Sequence, residues 1–200
     1  DGAIMAGVFN MLRASDLIWP YMVDNYLRGT QPPPFDLLYW NSDSTRVAAA
    51  VHSFYLRNCY LENNLAQGRM VVDGRALNLK DVTIPIYDLA TRDDHIAPAK
   101  SVFEGAKPFG GPVEFVLGGS GHIAGVVNPP DAGKYQYWTG ASPTGDFEEW
   151  QRESEVHSGS WWPHWQNWLK THNEQKVAAR IPGDGQLAPL CDAPGTYVLE

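Results

Sequence analysis

Two apolar runs, each ending in polar and glycine residues, constrain the fold of this 200-residue chain most strongly. The first run covers residues 81–90 and is followed by Asp94, and the second covers residues 112–117 and is followed by His122. Residues 98–107, between the runs, have the length of a short helix. A strand, a helix and a second strand in direct succession form a parallel crossover unit. The sequence therefore predicts an α/β sheet with Asp94 and His122 at the carboxyl ends of its strands.

Ionisable side chains at this edge of a sheet are candidates for catalysis, because open α/β sheets place their ligands and catalytic groups there. Taken alone, Asp94 could be a helix N-cap and His122 a turn or core residue. Their order favours catalysis, since α/β-hydrolases supply the last two members of a nucleophile–acid–histidine triad in this order. The nucleophile comes first, on a Gly-x-(Ser/Cys)-x-Gly elbow, and the sequence has no such elbow. We therefore expect the later part of an α/β-hydrolase catalytic domain, with the acid and the base but without the attacking group.

Two local features suit this pair to its expected role. The glycines around residue 120 make a sterically bare turn that would let His122 approach a neighbouring loop closely. Asp94 is predicted to lie at the start of a helix, whose amino end would stabilise the carboxylate as an anion. Both features favour an ionised Asp94 next to an accessible His122.

Other polar residues near the pair are weaker candidates. Asp94 is preferred over Asp93 because α/β-hydrolases place the acid four residues before the proline that opens the next helix. His95 is expected to orient the loop rather than to transfer a proton. Ser120 lies in a Gly-Gly-Ser-Gly-His run, which superficially resembles a serine elbow. Because the fifth residue of that run is His122 and the serine follows the acid in the chain, we interpret Ser120 as a decoy.

The pattern divides the chain into three parts. Residues 1–68 are mostly helical in period, which is typical of the cap that α/β-hydrolases insert over the active site. Residues 69–130 hold a hairpin turn at Asp73-Gly74 and then the core strands that carry the acid and the histidine. Residues 131–200 are expected to form carboxyl-terminal helices and a tail rich in Trp, Pro and Gly.

A tryptophan stripe marks the last of these parts. Trp161, Trp165 and Trp168 recur at four- and three-residue steps, which puts them on one face of a helix. Such a stripe more often packs against a sheet than forms a binding platform. We therefore expect packing, and a binding surface stays open as the alternative.

Composition excludes several classes of function. The net charge of −8 and the lack of a Lys/Arg cluster argue against a nucleic-acid surface. No apolar run approaches the ~18 to 20 residues that a transmembrane helix requires.

The cysteines and histidines show no metal-ligand spacing, so we expect no metal site. The two cysteines, Cys59 and Cys191, lack flanking glycines and are expected to be free, non-catalytic thiols of a cytosolic protein. The first residues, Asp1-Gly-Ala-Ile, indicate neither an initiator Met nor a signal peptide, so we expect an internal start.

Longer motifs carry a more specific signal than the order of the acid and the histidine. They occupy residues 32–43, 93–98, 116–130, 159–165 and 193–198. Together they resemble the class I polyhydroxyalkanoate synthases, bacterial enzymes that polymerise 3-hydroxyacyl-CoA. Because the motifs are distributed along nearly the whole chain, the sequence is identified as the carboxyl-terminal part of such a catalytic domain.

The resemblance implies an α/β-hydrolase core with a helical cap and covalent catalysis by a Cys–His–Asp site. His122 would be the base that forms the thiolate, and Asp94 would either support His122 or help activate the 3-hydroxyl group of the incoming acyl unit. The nucleophilic Cys would lie upstream, in the amino-terminal half of the enzyme. That half is absent from this sequence and would be a partner of this chain. The resemblance further implies a cytoplasmic homodimer at storage granules. The substrates would be 3-hydroxyacyl-CoA and the growing polyester, with no cofactor because coenzyme A is part of the substrate.

Two other functions remain open at this point. The chain could be part of another α/β-hydrolase, such as an esterase or a polyester depolymerase, in which a serine would stand at the missing elbow. It could also be a non-catalytic granule-binding module built on the tryptophan-rich segment, in which case the loss of His122 would leave its function intact.

Overall fold

The computed structural model describes residues 2–12, 14–31, 46–192 and 195–196, which belong to two compact units, Asp1–Asn78 and Leu79–Glu200. The motif at residues 32–43 therefore lies outside the described residues, as does most of 193–198. Among the described residues, no helix is both long and apolar enough to cross a bilayer.

The first unit is mainly helical, as its sequence period predicts. Its α-helices are α1 (Gly2–Leu12), α2 (Ala14–Leu17), α3 (Trp19–Tyr21) and α4 (Ala49–Tyr55). A π-helical turn continues α3 over Met22–Leu27, and another continues α4 over Leu56–Leu61. A function of this unit as a cap stays a prediction.

The predicted hairpin closes the first unit. Its strands are β1 (Val71–Val72) and β2 (Arg75–Ala76), which pair antiparallel. Asp73 and Gly74 form the two-residue turn with φ of +49° and +72°. Two successive positive φ values match the right-handed twist of the flanking strands, which explains the Asp-Gly pair.

The second unit is a mixed α/β domain built on a four-stranded sheet. Its strands are β3 (Ile86–Thr91), β4 (Val113–Gly118), β5 (Gln136–Thr139) and β6 (Glu155–Ser158), which are ordered β3-β4-β5-β6. The strands β3 and β4 are parallel and are connected through α5 (Ala99–Ala106), which confirms the predicted crossover. The other two pairings are antiparallel.

The strands β5 and β6 were not expected in a region read as helices and an irregular tail. Each has only four residues and neither shows a clean alternation of buried and exposed positions, which is the pattern that identifies a half-buried strand. The helix α6 (Phe147–Glu153) lies between them and was also not expected. Its N-cap, Asp146, accepts hydrogen bonds from the amides of Glu148 and Glu149.

An aromatic core fills the face of the sheet that α5 and α6 cover. Phe103 of α5 and Phe115 of β4 are almost fully buried and meet edge to face, with ring centres 5.1 Å apart. Trp150 of α6 packs on Phe115 at 4.9 Å and donates its indole N–H to the Ala141 carbonyl over 2.7 Å. Such edge-to-face contacts are the preferred geometry for aromatic rings and hold both helices to the sheet.

The opposite face is covered by α7 (Trp162–His172) and the residue before it. Tyr87 of β3 lies against Trp161 and Trp168, with ring centres 6.0 and 5.4 Å apart. The Tyr87 hydroxyl also shares a 3.0 Å hydrogen bond with His164 Nδ1. Burial raises the pKa of Tyr87 and lowers that of His164. The prediction that the tryptophan stripe packs against a sheet is confirmed for Trp161 and Trp168.

Candidate active site

The turns that follow β3 and β4 are brought side by side by the register of the sheet. Thr91 and Gly118, the last residues of the two strands, are direct partners. Pairing continues beyond the strands, because Arg92 N donates to Gly118 O over 2.8 Å and Asp93 N donates to Ser120 O over 2.9 Å. The parallel arrangement thus places the two predicted site residues, one on each turn, at the same edge of the sheet.

Asp94 and His122 form a direct hydrogen bond there. His122 Nδ1 lies 2.7 Å from Asp94 Oδ2. The Asp94 side chain is only 7% exposed, whereas the His122 side chain is 45% exposed. An ionised Asp94 accepts the Nδ1 proton and fixes the neutral tautomer in which Nε2 is the basic nitrogen. Since Nε2 bonds to none of the described residues, it is available to take a proton from another group.

The Asp94 carboxylate is stabilised by the backbone of its own turn. Partial burial opposes its ionisation, but bonds from the Ala97 amide, from His122 and from the Ile96 amide outweigh burial and lower its pKa to about 2. The two amides donate to Oδ1 over 2.9 and 2.8 Å. Because the folded pKa lies below the ordinary value of about 3.9, these contacts stabilise the fold above pH ~4, and the contribution is lost as the pH falls toward 2.

The expected helix amino end does not provide this stabilisation. The helix α5 begins at Ala99 with Pro98 as its N-cap, and the amides that bind Asp94 belong to the turn before it. An aspartate that accepts amide bonds two and three residues downstream forms a local turn of its own. That expectation was therefore wrong in its mechanism, although the carboxylate is stabilised as an anion.

Asp93 is engaged elsewhere. Both of its carboxylate oxygens accept from Arg92, Oδ1 from Nε over 3.0 Å and Oδ2 from Nη2 over 3.1 Å. The Arg92 guanidinium also lies over the Trp138 ring, 5.4 Å from its centre. This arrangement leaves Asp94 as the carboxylate that binds His122, which supports the choice of Asp94. Arg92 was not singled out from the sequence, where only its position beside two aspartates could have signalled it.

The remaining candidates lie outside this pair. His95 is exposed in the Asp94 turn, and its orienting role stays a prediction. Ser120 has a positive φ of +70°, but within the described residues its hydroxyl makes no hydrogen bond to His122. Cys59 and Cys191 are free thiols, and within the described part of the second unit Cys191 forms no hydrogen bond with Asp94 or His122. No group of three metal-ligating side chains occurs in the described ranges.

The His122 turn is packed so closely that Gly125 admits no side chain. Gly125 is buried, and an added Cβ would lie 2.5 Å from Thr91 Cγ2 and 2.6 Å from the Gly119 carbonyl oxygen. Thr91 in turn places its hydroxyl 3.4 Å from Asp94 Oδ2. The absence of a side chain at Gly125 therefore lets the His122 turn lie directly on the end of β3.

We expect Gly125→Ala to loosen this edge of the sheet. Relief of the clash requires a backbone shift, and such overpacking costs about 1–3 kcal/mol. Hydrogen exchange measured by mass spectrometry should show faster exchange across residues 118–127 in the full-length protein. Gly105→Ala is the matched control, because a Cβ there would meet no atom within 4 Å apart from its chain neighbours and the backbone of its own helix, and alanine favours a helix interior. Equal exchange in both variants would contradict the packing described for Gly125.

Comparisons with known proteins identify the family. No family model matches the chain. It is 62% identical over its whole length to the poly(3-hydroxyalkanoate) polymerase subunit PhaC of Rhizobium etli, of which it covers 31%. It is 64% identical to the protein of the same name from Rhizobium meliloti, over 99% of this chain and 32% of that one. A poly(3-hydroxyalkanoate) polymerase of Methylorubrum extorquens is 59% identical over 99% of this chain and 33% of its own length.

The matched relatives are all named as polymerases of 3-hydroxyalkanoates, which defines the class. The chain belongs to the poly(3-hydroxyalkanoate) polymerase family and spans about a third of the length of the relatives that it matches. The family predicted from the sequence motifs is thus confirmed.

Proposed function

We propose that this chain supplies the base and the acid of a polyhydroxyalkanoate polymerase, an acyltransferase that joins 3-hydroxyacyl units from coenzyme A thioesters into a polyester. His122 is the general base in this proposal, and Asp94 holds it in the required tautomer. A cysteine outside this chain is the nucleophile. The observation that carries the proposal is the 2.7 Å contact between His122 Nδ1 and a nearly buried Asp94, with Nε2 left unbonded by the described residues.

The chemistry follows from the available nitrogen. Nε2 of His122 takes the proton of the cysteine thiol, and the thiolate attacks the thioester carbonyl. The carbon–sulfur bond to coenzyme A breaks, and the leaving thiolate receives the proton from the imidazolium. A hydroxyl group at the end of the polyester, or of a second acyl unit, then attacks the acyl-enzyme. His122 takes the hydroxyl proton and returns it to the cysteine sulfur, so one ester bond forms for each thioester consumed.

Asp94 is suited to assist both proton transfers without being protonated itself. Its pKa of about 2 keeps it ionised at any pH at which the enzyme would work. A fixed carboxylate on Nδ1 stabilises the imidazolium that forms in each step. This support for His122 is favoured over direct activation of the 3-hydroxyl group, because the described contacts of Asp94 occupy both of its oxygens.

The rest of the proposal rests on the family resemblance. The mixed α/β domain is the later part of an α/β-hydrolase core, the helical first unit is a cap, and the remaining length supplies the nucleophile and the earlier strands. Coenzyme A is part of the substrate rather than a cofactor. The enzyme acts as a homodimer on cytoplasmic storage granules.

The test is thiol release from 3-hydroxybutyryl-CoA, measured together with polymer formation by the full-length protein and by this chain alone. We expect both products from the full-length protein and neither from the isolated chain, because a base and an acid without their nucleophile retain little of the rate. Thiol release with free acid and no polymer would indicate a hydrolase. No reaction in the full-length protein would favour a granule-binding module, and an active isolated chain would place the nucleophile within these residues.

A further inference from the structure

Two indole N–H groups donate to the loop that carries His122. Trp161 Nε1 donates to the Gly125 carbonyl over 3.1 Å, and Trp162 Nε1 donates to the Val126 carbonyl over 2.9 Å. Both bonds connect residues 36 positions apart in the sequence. The start of α7 is therefore attached to the His122 loop through side-chain donors and not only through apolar packing.

These two bonds hold the side of the loop that follows His122. The side before it is held by backbone bonds, from Gly119 N to Gln136 O over 2.7 Å and from Asp93 N to Ser120 O over 2.9 Å. Beyond His122, the turn closes on itself from Gly125 N to Gly121 O over 2.8 Å. In the described residues, the two indoles are the side-chain donors to this second half. His122 thus lies between one anchor made by the sheet and one made by the tryptophans.

The tryptophans that make the second anchor have packing and hydrogen-bond contacts of their own. The Trp161 ring packs on Tyr87 of β3 and on Trp165, with ring centres 6.0 and 6.1 Å apart. The Trp162 amide donates to the hydroxyl of Ser160, a buried residue, over 3.1 Å. Since β3 also leads into the Asp94 turn, Trp161 contacts the strand that presents the acid and bonds to the loop that presents the base.

We propose that Trp161 and Trp162 are positioning residues, whose indole N–H groups fix the His122 loop so that the imidazole stays aligned with Asp94 and with the nucleophile. This inference rests on the proposed function. It assigns these tryptophans a role in the rate of the reaction, whereas the sequence pattern places only Trp161 in a stripe that is expected to pack against a sheet. A displacement of the base by about 1 Å is enough to cost a large factor in rate.

Other tryptophans on the same helix make it possible to distinguish packing against the sheet from hydrogen-bond donation by the indole N–H. Trp165 packs on Trp161, and Trp168 packs on Tyr87 and His172, yet among the described residues neither indole nitrogen makes a hydrogen bond. A substitution by phenylalanine at Trp168 removes aromatic area on the sheet face but no hydrogen bond to another described residue. The same substitution at Trp161 removes similar area together with the bond to the buried Gly125.

The experiment compares Trp161→Phe, Trp162→Phe, the double variant and the Trp168→Phe control in the full-length protein. Active sites are titrated by the burst of thiol release, so that kcat refers only to folded enzyme. We expect kcat to fall about tenfold in each single variant and further in the double variant, with the KM for 3-hydroxybutyryl-CoA changed less than about twofold, as for other residues that orient a catalytic group. Trp168→Phe should keep kcat within about twofold.

A second replacement isolates the donor itself. Benzothienylalanine at position 161 keeps the shape of the indole but carries sulfur in place of the N–H group. A loss of kcat similar to that of Trp161→Phe supports positioning, and full activity of this variant overturns it. An unchanged kcat in Trp161→Phe, measured beside an inactive His122→Ala variant, also overturns this inference while leaving the proposed function intact. If His122→Ala keeps its activity, the proposed function fails instead.

Discussion

Replacement of His122 by alanine in the full-length protein is expected to reduce thiol release from 3-hydroxybutyryl-CoA by about 10³-fold or more. The base is removed, so the thiolate no longer forms efficiently and the leaving group receives no proton. The fold should be preserved, because the His122 side chain is nearly half exposed. Thiol release and circular dichroism of the same preparation check both expectations.

His52→Ala is the matched control for this variant. His52 is exposed in α4 of the first unit, and it has no assigned part in the chemistry. We expect its activity to stay within about twofold of the parent. If His122→Ala retained more than a tenth of the parent activity, His122 would not be the general base and the proposed mechanism would fail.

Asp94→Asn is also expected to produce a large loss of activity, about 10²- to 10⁴-fold. The asparagine can still accept the bonds from the Ile96 and Ala97 amides, so the turn should persist. However, a carboxamide cannot act as the anionic acceptor for Nδ1, which leaves the tautomer of His122 uncontrolled and the imidazolium unsupported. Steady-state thiol release measures the overall loss.

A single-turnover experiment on Asp94→Asn then distinguishes the two roles considered for this acid. If Asp94 supports His122, the burst of thiol release that accompanies acyl-enzyme formation should slow together with chain growth. If Asp94 instead activates the 3-hydroxyl group, the burst should keep its rate and only chain growth should slow. Asp93→Asn is the matched control and should change either rate by less than about threefold, because Arg92 holds that carboxylate.

The crossover unit could be predicted closely from the sequence. The predicted helix at 98–107 and strand at 112–117 differ by one residue at each end from α5 and β4. The predicted strand at 81–90 begins later, at Ile86, because a 3₁₀ turn occupies Leu79–Asp81 and Pro85 has no N–H to donate. Apolar runs that end in polar and glycine residues are strong signals of strands, and both strands of this crossover have such runs.

The antiparallel strands and the contacts of the site were harder to predict from the sequence. The pairing of β5 with β4 joins residues about 20 apart, and β5 is half-buried along its length, so its four residues carry no distinctive pattern. The order of Asp94 and His122 was informative because strand ends converge at one edge of a parallel pair. By contrast, periodicity shows which face Trp161 occupies but not where its N–H points, so its bond to Gly125 could not be anticipated.

The short sequence separation between Asp94 and His122 has a consequence for folding. Their hydrogen bond joins residues only 28 positions apart, and both lie on turns of one β3–α5–β4 crossover. Closure of so short a loop costs little chain entropy, and contacts of low sequence separation form early. The acid and the base can therefore come together as soon as this crossover folds. The nucleophile then has only to reach a pair that is already assembled.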